Sequence, residues 1–370
     1  MQRVLVTGGA GFIGCHLARA LLDSGYEVRV LDSLIDQVHA PDGPFDPVMR
    51  EVELVRADIR DPGEVRRALR GVEKVVHLAA EVGVGQSMYA IDRYVSVNDQ
   101  GTAVLFQELI DCPVARVVVA SSMSIYGEGL YRSRDGRTVE DAERPAQRSA
   151  RSGWDPIGPD GETLTPLATP ESKRPSLASV YALTKYTQER LTLTVAPAYG
   201  MEAVALRLFN VYGPGQALSN PYTGVLAIFA SRLLNGQRPL VFEDGEQRRD
   251  FVHVEDVARA FVLALEEPAA AQGVFNIGSG RDVSIHDVAV QLAAAMGREH
   301  LAPEVLNQAR IGDIRHCFAD ISLARQTLGY APRRSFDDSL GELADWVERQ
   351  QPVDRVSQAR RELEVRGLVA

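Results

Sequence analysis

The sequence predicts an α/β fold in which a doubly wound parallel sheet is followed by a smaller C-terminal α/β lobe. Short β-branched runs alternate with stretches of helical periodicity, and some runs, such as Val117-Val118-Val119, are apolar without interruption. Uninterrupted apolar strands are typical of a parallel sheet that helices cover on both faces. With 370 residues, 45% of them hydrophobic and 24% charged, the chain can bury one large core or two ordinary ones.

The regular alternation covers residues 1–210, which we expect to form the first domain. The pattern predicts strands at 3–7, 27–31, 54–57, 74–78, 116–120 and 203–208, and helices at 12–23, 62–69, 94–110 and 179–195. Within this domain the segment of about 128–178 is rich in proline and charge and has little periodicity. We expect it to be an insertion that runs over the surface, either as a tolerated loop or as a segment that helps to close a site beneath it.

The alternation loosens in residues 211–350, which we expect to form the second lobe, interleaved with the first domain. Here the pattern predicts strands at 240–242 and 274–277 and helices at 254–265, 285–296 and 336–349, separated by glycine and proline turns. Residues 351–370 are charged and have helical periodicity, so we expect them to form a helical appendage.

Composition excludes several classes of function. The formal charge of −10, from 40 Lys and Arg against 50 Asp and Glu, repels nucleic acid. The three cysteines, Cys15, Cys112 and Cys317, are far apart and the histidines have no ligand spacing, so we expect no metal site. The chain shows neither an export signal nor a long apolar stretch, which predicts a protein of the cytoplasm without a membrane partner.

A glycine-rich turn joins the first predicted strand to the first helix. Gly8 permits a tight turn, Gly11 lets backbone N–H groups approach a diphosphate at the helix N-terminus, and Gly14 is expected to let the helix pack closely on the strand. Asp32 follows Gly14 by 18 residues, at the end of the second strand, where a carboxylate accepts the ribose hydroxyls. We therefore predict dinucleotide binding in a Rossmann domain, with NAD preferred over NADP because Asp32 repels a 2′-phosphate. Asp58-Ile59, after the third strand, is a candidate to flank the adenine.

A second group of residues predicts the chemistry. Tyr181 and Lys185 are four apart and share one face of a helix, and Ser122 ends an earlier strand. An ammonium beside a phenol, with an oxidised nicotinamide nearby, lowers the pKa of Tyr181 from near 10 towards neutrality. The phenolate then removes a proton from an alcohol while hydride leaves the same carbon, and Ser122 bonds the oxygen. We therefore take Ser122, Tyr181 and Lys185 as the candidate catalytic residues.

These motifs resemble the extended short-chain dehydrogenase/reductases, and within them the nucleotide-sugar epimerases and dehydratases. The resemblance covers nearly the whole chain and includes 7–14, 32, 58–59, 77–80, 98–102, 121–127, 181–185, 207–213, 249–254, 310 and 312–313. It implies that the NAD site also includes Phe12, Ile13, Leu78, Ala79, Ala80, Asn98, Tyr181, Lys185 and Leu208. It implies that the substrate, a nucleotide-diphosphate sugar, meets Ser122, Ser124 and Tyr181, and that its diphosphate is held by Asn210, Arg249 and Arg310.

Departures from the family pattern narrow the reaction. The family's 4,6-dehydratases carry an Asp-Glu pair after the catalytic Ser or Thr, where this chain has Met123-Ser124. This favours epimerisation through a transient keto sugar with NAD bound tightly and regenerated. Residues 81–88, 122–129 and 154–170 resemble the dTDP-L-rhamnose 4-epimerase group. On this resemblance we expect 4-epimerisation of a dTDP-linked deoxyhexose. One departure is that Ile157-Gly158-Pro159-Asp160-Gly161 replaces that group's frequent Cys-Pro-x-Cys-Gly knuckle.

Two other interpretations remain open at this point. One is a one-way oxidoreductase or decarboxylase on the same scaffold, and the other is a non-catalytic sensor that binds the dinucleotide and signals through a partner. The resemblance also implies a homodimer that buries the helices predicted at 94–110 and 179–195, although the apolar residues there would also suit an intramolecular contact.

Overall fold

The computed structural model describes residues 2–39, 46–144, 153–158, 160–220, 222, 224–310, 312–350 and 356–369. In the first part of the chain the elements are β1 (Arg3–Thr7), α1 (Phe12–Asp23), β2 (Glu27–Asp32), β3 (Glu53–Arg56), α2 (Pro62–Leu69), β4 (Lys74–His77), α3 (Val84–Ser87), α4 (Ile91–Tyr94), α5 (Gly101–Asp111) and β5 (Arg116–Ser122). They are followed by β6 (Leu130–Arg132), β7 (Thr138–Val139), β8 (Thr165–Leu167), α6 (Val180–Ala198), β9 (Glu202–Leu208), β10 (Asn210–Tyr212), α7 (Val225–Leu234), β11 (Leu240–Val241) and β12 (Arg248–His253). The last elements are α8 (Val254–Glu266), β13 (Val274–Ile277), β14 (Asp282–Ser284), α9 (Ile285–Ala295), β15 (Glu304–Val305), β16 (His316–Cys317), α10 (Ser322–Leu328), α11 (Phe336–Glu348) and α12 (Val356–Val365).

A seven-stranded parallel sheet forms the centre of the molecule, in the order β13-β9-β5-β4-β1-β2-β3. The order reverses between β1 and β4, which opens a crevice at the carboxyl ends of these strands. Helices α1 and α8 pack on one face, and α2, α5 and α6 pack on the other. This confirms the predicted doubly wound α/β class. Within the described ranges, no helix has the length and apolar character that crossing a membrane requires.

The helix predicted at 94–110 differs from the prediction at its N-terminal half. It begins as α4 at Ile91 and passes through a π-helical segment, Val95–Gln100, before it becomes α5. The widened turn carries the fully buried Asn98, whose side chain bonds the backbone of Glu81 and the hydroxyl of Thr184. Apolar periodicity does not reveal such a segment, because the flanking α-helical turns keep the same buried face.

Two elements that we expected in the second lobe belong to the first domain. β13 forms the edge of the central sheet beside β9, and α8 packs against α1. The second lobe instead has its own core among α7, α9 and α11, beside the small sheet of β10, β12, β14 and β16. The chain therefore crosses between the two regions more than once, and the cavity between them takes residues from both.

The insertion at 128–178 is anchored rather than laid over the surface as we expected. Residues 145–152 and 159 lie outside the described residues. Pro159 belongs to the segment 157–161, which replaces the knuckle of the related group. In the rest, β6 pairs antiparallel with β7 and with β8, and Trp154 is buried. The buried Arg315 of the second lobe bonds Asp155 at 2.6 Å, while Arg144 pairs with Glu243. Charges that are buried together need partners, so this cluster fixes the insertion to the second lobe.

Candidate active site

One cavity of about 1180 Å³ runs along the carboxyl ends of the central strands and continues into the second lobe. It brings together almost all the residues that the sequence predicted: Gly8, Gly11, Phe12, Ile13, Gly14, Asp32, Asp58, Ile59, Leu78, Ala79, Ala80, Ser122, Ser124, Tyr181, Lys185, Leu208, Asn210, Arg249 and Arg310. Asn98 does not line it, and neither do the described residues of the insertion. We call the part around Gly11 and Asp32 the glycine end, and the part around Ser122 and Tyr181 the tyrosine end.

The glycine end is shaped by close backbone contacts. Gly8 has a φ of +68°, and a Cβ there would lie 2.7 Å from the backbone nitrogen of Ala79. Gly14 packs against the backbone of Gly9 in the same turn, not against a strand as we expected. Gly9 makes the strand contact instead, since its Cβ would lie 2.9 Å from the carbonyl of Val6. The tight turn therefore brings the first turn of α1 to the cavity wall.

This turn fits the diphosphate and ribose of a dinucleotide. The N-cap of helix α1 is Gly11, so no side chain caps the N–H groups of the first turn, and the residues of this turn line the cavity. The carboxylate of Asp32 accepts the backbone N–H groups of Ala10 at 3.0 Å and Leu34 at 2.9 Å. These bonds hold the carboxylate at the cavity wall and leave it lone pairs for ribose hydroxyls.

Asp58 and Ile59 have different surroundings. The side chain of Arg60 forks onto both carboxylate oxygens of Asp58, at 2.9 and 2.6 Å, and holds the pKa of Asp58 below its usual value. Ile59 is buried against Gly101, where a Cβ would lie 2.6 Å from it. The carboxylate of Asp58 is therefore paired with Arg60, and Ile59 provides apolar surface at the glycine end of the cavity.

Asn98 supports the cavity from behind. Its amide accepts the backbone N–H of Glu81 at 2.7 Å and donates to the backbone carbonyl of Glu81 at 3.1 Å and the hydroxyl of Thr184 at 2.9 Å. The bonds tie the loop after β4, which includes Leu78, Ala79 and Ala80, to helix α6. Asn98 is thus a positioning residue.

The tyrosine end holds a chain of hydroxyl groups. Ser122 ends β5 and caps the short turn that follows, where the N–H and the hydroxyl of Ser124 lie 3.2 and 2.9 Å from the Ser122 hydroxyl. The Ser122 hydroxyl lies close to the phenol of Tyr181 and lowers its pKa. Helix α6 fixes Tyr181 at its first turn, because Ser179 caps the helix and the backbone N–H of Tyr181 bonds Ser87 at 3.0 Å.

The protein's own groups raise the pKa of Tyr181, whereas the lowering that we expect from the sequence also includes the charge of an oxidised nicotinamide. Burial raises this pKa to about 12, and the nearby Ser122 hydroxyl only partly opposes the shift. Burial also lowers the pKa of Lys185 to about 7, so the ammonium is only partly charged at neutral pH. The protein alone therefore holds the phenol protonated, and its ionisation requires further positive charge in the cavity.

A residue that the sequence analysis missed holds Lys185 in place. The Lys185 ammonium lies 2.5 Å from the side-chain carbonyl of Gln188, and the Gln188 amide contacts the ring of His77, the hydroxyl of Thr102 and the carbonyl of Ala79 at 3.1, 2.9 and 3.2 Å. Burial lowers the pKa of His77 to about 3, so the ring is neutral. Gln188 is three residues after Lys185 on α6, and this helical spacing is the sequence feature that could have predicted their contact.

Arg249 and Arg310 meet at one acidic residue of the second lobe. Arg310 forks onto Asp313 at 2.8 and 3.1 Å and stacks over Phe242, while Arg249 lies 3.6 Å from the same carboxylate. Burial alone would raise the pKa of Asp313, but the two arginines hold it below its usual value. The arrangement places two guanidinium groups on one wall of the cavity and leaves them a surplus of positive charge.

Three buried amide oxygens in the cavity wall lack a partner among the described residues. They belong to Asn210, Gln216 and Gln247, and the sequence analysis identified only the first. A buried acceptor without a partner costs about 1–3 kcal/mol, so such groups indicate where a ligand's hydroxyl or N–H groups bind. Because these amides come from separate parts of the second lobe, no spacing in the sequence indicated the other two.

Comparisons with known proteins agree with this geometry. The family model described as "NAD dependent epimerase/dehydratase family" matches residues 4–150 and 155–278. The dTDP-L-rhamnose 4-epimerase of Burkholderia thailandensis is 37% identical over 351 residues, which are 94% of this chain and 95% of that protein. The UDP-glucose 4-epimerase of Thermotoga maritima, solved with UDP-glucose, superimposes with a TM-score of 0.75 at 30% identity and covers 93% of this chain and 98% of its own.

The UDP-glucose 4-epimerase of Thermus thermophilus, solved with NAD, gives a TM-score of 0.74 at 31% identity over 95% of this chain and all of its own. The similarity to these proteins thus extends over both the glycine end and the second lobe. The chain belongs to the NAD dependent epimerase/dehydratase family.

Proposed function

We propose that this protein is a nucleotide-sugar 4-epimerase that acts on a dTDP-linked 6-deoxyhexose through a transient 4-keto sugar. The observation that carries the proposal is that Ser124, Ser122 and Tyr181, with the Ser124 and Ser122 hydroxyls 2.9 Å apart, line the same cavity as an uncapped glycine turn. This supports a proton acceptor and a hydroxyl donor at the point where the alcohol carbon of a sugar would meet a dinucleotide.

Tyr181 takes the proton of the C4 hydroxyl, and Ser122 bonds the same oxygen as it becomes a carbonyl. Bound NAD would supply the acceptor of the C4 hydride and the positive charge that the phenol needs, held by the first turn of α1, Asp32 and Lys185. Lys185 in its protonated form stabilises the phenolate of Tyr181. The side chain of Gln188 fixes the position of the Lys185 ammonium. We expect the cofactor to stay bound between turnovers, because each turnover returns it to its starting state.

The residues after Ser122 favour epimerisation over dehydration. Loss of water from a sugar needs an acid and a base beside the oxidised carbon. Met123 and Ser124 occupy these positions, and the Ser124 hydroxyl is bonded to Ser122. With dehydration disfavoured, we expect the oxidised sugar to turn over and take the hydride back on its other face.

Arg249 and Arg310 would bind the diphosphate of the substrate. A dianion needs concentrated positive charge in a protein whose formal charge is −10. The Burkholderia relative supports a dTDP-linked deoxysugar as the substrate. Asn210, Gln216 and Gln247 would accept hydrogen bonds from the sugar or the base.

The proposal is tested by incubating the purified protein with a panel of dTDP-, UDP- and GDP-sugars and following the C4 proton by NMR. We expect exchange between two C4 epimers without net reduction of the cofactor. Accumulation of reduced cofactor in proportion to the sugar would instead select a one-way oxidoreductase or decarboxylase. No exchange with any sugar, together with bound dinucleotide, would select the sensor.

We also propose that two chains associate through α4, the π-helical segment and α6. The exposed fractions of Ile91, Val95 and Leu183 are 51%, 39% and 48%, and these helices pack side by side. Large apolar side chains that cluster on neighbouring helices are typical of an interface. Light scattering on the wild type and on Leu183→Glu tests this proposal, and a wild-type mass of one chain would contradict it.

A further inference from the structure

The C-terminal segment forms a wall of the cavity at the tyrosine end. We expected a charged appendage here; its first residues, 351–355, lie outside the described residues. Ala359, Leu363 and Leu368 line the cavity, and the first two are only 7% and 8% exposed. A methyl of Leu363 lies 3.6 Å from the point where a Cβ on Gly85 would be, so the segment rests on the loop that follows β4.

The loop that follows β4 contacts Tyr181 through space. Ser87, two residues after Gly85, accepts the backbone N–H of Tyr181 at 3.0 Å. Tyr94 bonds the carbonyl of Val82 at 2.9 Å, and its ring stands edge-on to that of Tyr181 at 6.5 Å. Helix α12 therefore rests on the loop that positions Tyr181, the candidate proton acceptor.

Glu362 fastens helix α12 to two tyrosines from different parts of the chain. One of its carboxylate oxygens accepts the hydroxyl of Tyr89 at 2.8 Å and that of Tyr222 at 3.0 Å. The two hydroxyl oxygens are 2.5 Å apart, and Arg366 stacks on the ring of Tyr89 at 4.3 Å. Bonds to an ionised acceptor are stronger than neutral ones, so Glu362 joins the loop of the first domain, the second lobe and α12 at one point.

The end of the segment reaches the other side of the cavity. Val369 pairs with the backbone of Arg310, one of the two arginines on the second-lobe wall. Residues 356–369 thus span the cavity from the loop beside Tyr181 to Arg310.

We propose that Glu362 is a positioning residue whose bonds to Tyr89 and Tyr222 hold α12 in place, and that α12 keeps the oxidised sugar in the cavity until the hydride returns. The inference rests on the proposed epimerase function. Oxidation at C4 moves a hydride to the cofactor and the hydroxyl proton to Tyr181. A ketone that escapes leaves both behind, so the enzyme would stop with reduced cofactor and a protonated Tyr181.

The first test needs no substrate. Hydrogen exchange is measured for peptides that cover 356–369 and 82–89 in the full-length protein as purified. In Glu362→Ala we expect exchange in both regions to be faster by about tenfold, because two bonds to a charged group are lost. Glu364→Gln is the matched control, since Glu364 is exposed on the same helix and pairs only with Arg360 among the described contacts.

The second test measures the partition of the oxidised sugar. Released ketone is trapped by reduction with borodeuteride and counted by mass spectrometry against the epimer formed. We expect the ratio of ketone to epimer to rise by about tenfold in Glu362→Ala, with progressive loss of activity and accumulation of reduced cofactor. Glu364→Gln should behave as the wild type.

Either of two results would overturn the inference: an unchanged ketone ratio in Glu362→Ala, or unchanged exchange in residues 356–369. If Glu362→Ala does not fold, Tyr89→Phe and Tyr222→Phe each remove one of the two bonds, and each should raise the ratio by a smaller factor. A wild type that exchanges no C4 epimers would overturn the proposed function instead, and the exchange measurement would still decide whether Glu362 holds α12.

Discussion

The glycine end and the tyrosine end of the cavity differ in how much of the chain is needed to build them. The glycine turn itself comes from β1, α1 and β2, three consecutive elements, and its close contacts, of Gly8 with Ala79 and of Gly14 with Gly9, are between backbone atoms. The tyrosine end gathers Ser122 and Tyr181 with side chains from the second lobe and from α12. Side chains far apart in sequence are hydrogen-bonded there, as Gln188 is with Thr102 and Glu362 is with Tyr89 and Tyr222.

This difference predicts how each end fails. An added methyl group at the glycine end moves the backbone, so it should weaken cofactor binding and leave the proton chemistry intact. A lost hydroxyl or amide at the tyrosine end leaves the backbone in place, so it should slow the reaction while the cofactor stays bound.

The largest effect is expected for Tyr181→Phe. Removing a positioned proton acceptor lowers kcat by about 10²–10⁴, and the cofactor that copurifies with the protein should be unchanged. The control is Tyr199→Phe, which removes the hydroxyl of a half-exposed tyrosine at the end of the same helix. Loss of the bound cofactor in Tyr181→Phe would remove the distinction between the two ends.

Gly8→Ala tests the glycine end. The alanine would keep the backbone φ of +68°, and its Cβ would lie 2.7 Å from the backbone nitrogen of Ala79. Because a backbone clash of this kind can be relieved only by a shift of the turn, we expect affinity for NAD to fall at least about tenfold, measured by calorimetry on protein stripped of cofactor. Gly25→Ala carries similar strain at a φ of +83° with nothing within 4 Å, and should bind NAD as the wild type does. Equal losses in the two variants would show that strain, not the contact with Ala79, matters.

The same difference explains how much the sequence revealed. The bounds predicted for β1 and α1 agree with the structure, because a local pattern of apolar residues and glycine determines them. Tyr181, Lys185 and Ser122 could be predicted because strand ends and helix spacing place them. The roles proposed for Gln216, Gln247 and Glu362 could not be predicted, because two amide oxygens without a partner and one carboxylate shared by two distant tyrosines follow no local periodicity. The rise that burial causes in the pKa of Tyr181 was not predicted either, since spacing does not report burial.

Gln188 tests whether Lys185 depends on its neighbour. Gln188→Leu removes the carbonyl that accepts from the ammonium at 2.5 Å, so the pKa of Lys185 should fall further below about 7. If the reaction needs the ammonium, the alkaline limb of kcat moves to lower pH by about one unit. Gln188→Glu adds a negative charge and should move the limb to higher pH. A purely structural role would lower kcat at every pH in both variants and displace neither limb.

The smallest effect is expected for Arg310→Lys, at the second-lobe wall. Lysine keeps the charge but loses both the fork onto Asp313 and the stacking over Phe242. A cation–π contact at a partly exposed site contributes about 0.5–1 kcal/mol, so KM for the nucleotide sugar should rise about fivefold while kcat is unchanged. Arg174→Lys is the control, because the Arg174 guanidinium also pairs with carboxylates, those of Glu140 and Asp141, but lies on the surface away from the cavity. A lower kcat with an unchanged KM would place Arg310 in the chemical step and would extend the tyrosine end into the second lobe.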